Sequence, residues 1–132
     1  MTNISLVGFG RIGRDLLRQT FNDNDINIIS ISDTADKANL IYLLKYDSIY
    51  GKFNAEIEET EKGIVVDGKE IIFNSWKDGN EADWEKIQTD IVILATGKPK
   101  TKEEVDIHLS KGCKKVIIAS TPENFKDIQI YV

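Results

Sequence analysis

Two hydrophobic periods alternate along the chain. An apolar, β-branched run ends at Gly8, and a helical spacing then takes over at Ile12, Leu16, Leu17 and Phe21. This predicts a strand, a glycine turn and a helix over about 10–22, closed by the polar run Asn22 to Asp25. Ile26, Ile28, Ile29 and Ile31 predict a second strand over 26–32. Residues 36–46 predict a second helix, with Ala38, Ile41, Tyr42 and Lys45 on one stripe and Leu40, Leu43 and Leu44 on another. So apolar a helix calls for cover by the sheet or by a partner.

Residues 51–60 read as extended. Ile64 to Phe73 reads as a hairpin around Asp67-Gly68, because a type I′ turn needs φ > 0 at both central residues. Residues 74–88 are polar, with Trp76 and Trp84 as core anchors and a short helix expected near 81–88. Asp90 to Ala95 carries Ile91, Val92, Ile93 and Leu94, which suits the centre of a parallel sheet. Thr101 to Lys111 reads as a helix opened by a capping box of Thr101 and Glu104. His108 falls on this helix as a half-buried residue. Cys113, a small buried apolar residue, leads into a strand at Val116 to Ala119, and Ile128 to Val132 reads as a last short strand.

Strands alternating with helices predict an α/β fold: a Rossmann-type doubly wound, mostly parallel sheet with an inserted antiparallel hairpin, in a single domain over residues 1–132. Ligands of such sheets sit outside the carboxyl ends of the strands. Those ends are Gly8, Asp33, Thr96-Gly97 and Ser120-Thr121, and they should gather on one edge.

Candidate chemistry concentrates at the first of these ends. In Gly8-Phe9-Gly10-Arg11-Ile12-Gly13, Gly8 lets the chain turn out of the strand. Gly10 lacks a Cβ, so a phosphate can approach the main chain. Gly13 lets the helix lie close to the sheet. Arg11 and Ile12 lend backbone N–H groups at a helix N-terminus, where the dipole favours an anion. The same glycines also fit an ordinary strand-to-helix turn. Asp33 follows Gly13 at the distance of about 20 residues at which an acidic side chain takes the adenosine ribose. A carboxylate accepts from both ribose hydroxyls and repels a 2′-phosphate, which favours NAD over NADP. Alone, Asp33 also reads as a cap or turn residue.

Composition narrows the classes. The 132 residues suit about one domain, and 41% hydrophobic with 30% charged residues is ordinary for a globular protein. With 17 basic and 22 acidic residues the net charge is −5, so the basic surface of a nucleic-acid module is missing. No apolar run approaches the ~20 residues that span a membrane. The first residues carry no signal-peptide pattern, and the expected location is cytoplasmic. One cysteine and one histidine leave no basis for an intrachain disulfide, a cysteine-rich metal site or an obvious Ser/His/Asp triad.

With these residues in view, the chain resembles the NAD-binding, N-terminal domain of phosphorylating glyceraldehyde-3-phosphate dehydrogenase. The likeness runs over nearly the whole chain. Gly-Phe-Gly-Arg-Ile-Gly-Arg at 8–14 looks like the family opening, and Leu-Leu-Lys-Tyr-Asp-Ser-Ile-Tyr-Gly-Lys-Phe at 43–53 is the most specific match. Val-Asp-Gly-Lys in the hairpin, Thr-Gly before Thr-Lys-Glu, and Lys-Lys-Val-Ile-Ile at 114–118 follow in family order.

The resemblance implies that Arg11 and Ile12 meet the pyrophosphate and Asp33 the adenosine ribose. It puts Lys77 near the adenine, where the family usually has arginine, and Thr96, Gly97 and Ser120 along the nicotinamide half. Lys98-Pro99 replaces an aromatic that often follows Thr-Gly. Thr34 after Asp33 is a pairing that some members combine with NADP, which makes NADP a weaker alternative cofactor. The family's catalytic cysteine, in a Ser-Cys-Thr-Thr motif, and its general-base histidine do not occur within these 132 residues, and Cys113 has a different context. The expectation is therefore a cofactor-binding half that holds NAD without turnover, partnered in the parent family by a catalytic domain or by further copies. The alternatives are a stand-alone NAD-binding regulatory module without enzymatic activity, or an interaction module whose nucleotide site is vestigial.

Overall fold

The computed structural model describes residues 1–47, 51–76, 80–96 and 101–119. The predicted last strand at 128–132 lies outside them. In chain order the elements are β1 (Thr2–Val7), α1 (Arg11–Thr20), β2 (Ile26–Ser32), α2 (Lys37–Lys45), β3 (Tyr46–Asp47), β4 (Gly51–Lys52), β5 (Ile57–Glu59), β6 (Gly63–Val66), β7 (Lys69–Asn74), β8 (Ile91–Leu94), α3 (Lys102–Ser110) and β9 (Lys115–Ile118).

Seven strands form one sheet in the order β5-β6-β7-β2-β1-β8-β9. From β7 to β9 every pairing is parallel, and β5, β6 and β7 pair antiparallel as the inserted hairpin region. The hairpin turns at Asp67 and Gly68 with φ of 47° and 85°, both positive as a type I′ turn demands. β1 is an inner strand, with β2 on one side and β8 on the other. The chain thus changes direction across the sheet beside β1, the topological switch point at which such folds open a crevice.

Side-chain alternation along the strands builds a core on each face. Ile4 and Leu6 of β1 and Ile93 of β8 point to the first face, where they meet Leu17 of α1 and Leu40 and Leu44 of α2. Val92 and Leu94 point to the second, where Trp84, Cys113 and Val116 cover them and Val105 of α3 adds to the packing. Trp84 is fully buried, as an anchor should be. The second face also buries a hydroxyl chain: Ser30 Oγ donates to Ser5 Oγ at 2.7 Å, and Ser5 Oγ lies 2.8 Å from Thr89 Oγ1. Burial of hydroxyls is tolerable because each is paired.

Local signals set the helix ends. Asp36 caps α2 by accepting from Asn39 N–H at 3.3 Å, and Thr101 caps α3 by accepting from Glu104 N–H at 3.2 Å. Arg18 of α1 donates to the Leu44 carbonyl at 2.6 Å, joining the last turn of α2 to α1. Burial cuts across the two stripes of α2: Leu40 and Leu44 of one are buried, whereas the other is divided, with Ile41 buried and Tyr42 exposed, its ring 5.2 Å from that of the exposed Tyr46.

One expected element is absent. Residues 84–88 form successive turns rather than a helix. Gln88 adopts φ 60°, which ends any right-handed continuation, and Glu85 N–H is drawn off to the Lys111 carbonyl at 3.0 Å. The extended reading of 51–60 also needs narrowing, because β4 and β5 occupy only part of it.

Candidate functional site

The carboxyl ends of β1, β2 and β8 converge. Val7 is in register with Ser32 of β2 and with Leu94 of β8, so Gly8, Asp33 and the Ala95-Thr96 peptide come next on one edge. Gly8 N–H donates to the Ser32 carbonyl at 2.7 Å, and Ala95 N–H to the Val7 carbonyl at 2.7 Å.

The three glycines differ in what they do. Gly8 has φ 97°, and a Cβ there would lie 2.8 Å from the Ala95 carbonyl. Gly13 is buried in α1, and a Cβ there would lie 2.5 Å from the Gly8 carbonyl oxygen. These two are demanded by backbone crowding inside the protein. Gly10 is not: among the described residues a Cβ there would meet nothing within 4 Å. It is the N-cap of α1, with φ −77° and ψ −156°, and no side chain caps that end. Among the described residues, the N–H groups of Arg11, Ile12 and Gly13 make no hydrogen bond. A helix N-terminus whose donors no described residue pairs, with no Cβ beside it, favours an anionic group.

Asp33 stands at the tip of β2 and is already engaged on the protein side. Its Oδ2 accepts from Phe9 N–H at 2.7 Å and its Oδ1 from Ala35 N–H at 2.8 Å. The turn reading of this residue is what these contacts show: Asp33 is a turn former placed on the edge. Carboxylate oxygens have capacity beyond one bond each, so ribose hydroxyls can still donate to them. Phe9 is fully buried, and its ring meets that of Phe73 edge-on at 5.9 Å. Arg14 Nη1 donates to the Phe9 carbonyl at 3.0 Å. Arg11 and Ile12 are exposed on the first turn of α1, and Thr96 is exposed beyond β8.

The structure thus brings together Gly8, Gly10, Arg11, Ile12, Gly13, Asp33 and Thr96. Lys77, Gly97 and Ser120 lie outside the described residues, as do Lys98 and Pro99. Phe9 and Arg14 belong to the same constellation and were not singled out from the sequence. The signal for them was a large apolar residue held between two turn glycines, and an arginine one position after the last glycine.

The remaining ionisable groups of note lie away from this edge. Asp90, at the opposite end of β8, is held below the ordinary carboxylate range, first by Asn3 N–H at 2.9 Å and then by the Lys114 ammonium 3.3 Å away. Cys113 is buried with its Sγ 3.4 Å from the His108 carbonyl, and burial pushes its thiol pKa up. His108 is buried and accepts from Trp84 Nε1 at 3.2 Å. Among the described residues no group of three or more His, Cys, Asp or Glu side chains could hold a metal, and no helix is long and apolar enough to cross a membrane.

Comparison with known proteins identifies the family. Residues 2–102 match the model of the family described as glyceraldehyde 3-phosphate dehydrogenase, NAD binding domain. The chain is 38% identical over 130 residues to glyceraldehyde-3-phosphate dehydrogenase 1 of Bacillus cereus, covering 98% of this chain and 39% of the relative. It is 39% identical over 127 residues to the Geobacillus stearothermophilus dehydrogenase, covering 96% and 38%. It is 38% identical over 134 residues to that of Thermotoga maritima, covering 100% and 40%. The chain therefore spans about two-fifths of the length of these relatives. An α/β sheet with a glycine turn at its switch point, an acidic residue at the tip of β2 and a family match over 2–102 lead to one conclusion: the chain belongs to the glyceraldehyde 3-phosphate dehydrogenase NAD-binding domain family.

Proposed function

We propose that residues 1–132 act as one dinucleotide-binding unit that holds NAD for a glyceraldehyde-3-phosphate dehydrogenase-like oxidoreductase. The observation that carries this reading is Gly10, where a Cβ would meet no atom of the described residues within 4 Å and where the helix behind it offers N–H groups that no described residue pairs. Among the described residues nothing calls for glycine there, whereas an approaching phosphate does.

In this reading the Arg11 and Ile12 N–H groups bind the pyrophosphate. The Asp33 carboxylate accepts from the adenosine ribose hydroxyls. Lys77 flanks the adenine, and Thr96, Gly97 and Ser120 border the nicotinamide half. NADP binds more weakly, because its 2′-phosphate meets the Asp33 charge. When bound, the dinucleotide supplies a hydride acceptor at its nicotinamide ring. The chain's own residues orient it and supply no nucleophile or base. Cys113 is buried on the second face and its thiol is held protonated; His108 is engaged by Trp84. Thioester chemistry needs a nucleophile, a base and an oxyanion site together. We therefore assign that step to a catalytic domain that works with this one, in a soluble, cytoplasmic setting.

Calorimetric titration of the 132-residue chain with NAD, ADP-ribose and NADP tests the proposal. NAD and ADP-ribose should bind, NADP more weakly, and glyceraldehyde-3-phosphate with NAD should give no reduced cofactor. Absence of saturable binding by both NAD and ADP-ribose would overturn it.

A further inference from the structure

We propose that Arg14 is a positioning residue for the dinucleotide, acting through the peptide groups on either side of Phe9. The inference rests on the reading of the site given above and extends it to a side chain that need not touch the ligand.

Main-chain bonds hold the two ends of residues 8–10, Gly8 N–H on the Ser32 carbonyl and Arg14 N–H on the Gly10 carbonyl, but among the described residues none holds the Gly8-Phe9 and Phe9-Gly10 peptides between them. Side chains hold them instead. Asp33 Oδ2 accepts the Phe9 N–H at 2.7 Å, which fixes the Gly8-Phe9 peptide. On the far side of that peptide the Gly8 carbonyl oxygen is wedged against Gly13, where a Cβ would lie only 2.5 Å away. Arg14 Nη1 donates to the Phe9 carbonyl at 3.0 Å, which fixes the Phe9-Gly10 peptide. A trans peptide is planar, with its N–H directed opposite to its C=O. Holding the Phe9 carbonyl therefore aims the Gly10 N–H away from Arg14, and the Phe9 ring, fully buried against Phe73, stops the unit from rotating as a whole.

A turn with two glycines in three residues would otherwise sample many conformations. Ordering it beforehand removes that entropic cost from the binding step. Arg11 and Arg14 then have separate tasks. Arg11 is exposed on the first helical turn, where it can face an anion directly, whereas Arg14 is part-buried with its guanidinium turned back onto the main chain.

The test compares wild type, Arg14→Met and Arg14→Lys in the 132-residue chain. Three quantities are measured: NAD and ADP-ribose affinity by calorimetry, the thermal midpoint, and amide exchange and ¹⁵N resonances of residues 9–12. We expect Arg14→Met to weaken both ligands roughly tenfold, the scale of one charge-assisted hydrogen bond. In the same variant the Phe9 amide should exchange faster and the Gly10 and Arg11 resonances should shift in the free protein. Arg14→Lys, which retains a cationic donor, should recover most of both effects. Unchanged affinity in Arg14→Met overturns the inference and leaves the proposed function standing. An affinity loss with undisturbed Phe9 and Gly10 amides also overturns it, because Arg14 would then act on the ligand directly. A lowered thermal midpoint with wild-type affinity below the transition reduces Arg14 to a purely structural residue and overturns it too. Wild-type protein that takes up neither ligand overturns both readings.

Discussion

Trp84 donates its indole N–H to Nδ1 of His108 at 3.2 Å, and the two rings stack with centroids 5.9 Å apart at 30°. The pair joins the turns at 84–88 to α3 across the second face of the sheet. It also determines the tautomer of the histidine, which accepts at Nδ1 and so carries its proton on Nε2 when neutral. Trp84→Phe keeps an aromatic plug but leaves the buried Nδ1 without that donor. The variant should lose about 1–3 kcal/mol of stability in urea unfolding. Because the pair lies on the face and not at the strand edge, NAD affinity should be unchanged.

Gly10 and Gly13 should respond to substitution in opposite ways. Gly10→Val places a side chain in open space at an ordinary backbone conformation, so the domain should fold with a near wild-type thermal midpoint. It should bind no NAD detectable by calorimetry. Gly13→Ala drives a methyl to 2.5 Å from the Gly8 carbonyl oxygen. That forces α1 away from the turn and should cost about 1–3 kcal/mol, as overpacking does.

Asp33→Ala removes the partners of Phe9 N–H and Ala35 N–H together with the carboxylate proposed to accept from the ribose. NAD affinity should fall by more than tenfold, and its advantage over NADP should shrink because the repelling charge is gone. Asp33→Asn keeps one oxygen acceptor and drops the charge. It should lose less NAD affinity yet narrow the NAD-to-NADP ratio comparably. Parallel titrations of both variants with both cofactors separate the two effects.

Asp90 ties the opposite edge of the sheet, where its Oδ2 accepts from Asn3 N–H and its Oδ1 faces Lys114. The Asn3 bond is the larger cause of its lowered pKa, followed by Lys114. A carboxyl whose folded pKa lies below the unfolded value near 3.9 stabilises the fold above that value. The contribution is lost as pH falls through the lower, folded pKa. Asp90→Asn should therefore flatten the acid limb of stability below about pH 4, while the difference from wild type stays constant from pH 5 to 8. Thermal midpoints across that range measure it.

Cys113 is buried beneath the His108 carbonyl, and desolvation keeps its thiol protonated. A thiolate is the reactive form. A disulfide reagent at pH 8 should modify the native chain slowly and the urea-unfolded chain promptly, with NAD leaving the native rate unchanged.

Much of the fold is legible in single segments. The predicted strand 26–32 coincides with β2, because an isoleucine-rich extended run is bounded by Asp25 and Asp33. Asp67-Gly68 and the Thr101 cap follow from φ > 0 and from one unpaired helical N–H, both local requirements. The glycine turn is legible for the same reason. The turns at 84–88 are not, because a window with helical spacing yields there to partners far along the chain, the Lys111 carbonyl and His108.

The site divides along the same line. Backbone geometry and residue type within a short window establish a strand, a turn without side chains and a helix N-terminus, since each depends on neighbours in the chain. Long-range approach establishes what these parts do together. Asp33 reaches back to Phe9, and Gly8 lies against the end of β8. Hydrogen bonds and steric contacts act over a few ångströms of space regardless of separation along the chain, so these relationships come into being only once the sheet has brought its carboxyl ends to one edge.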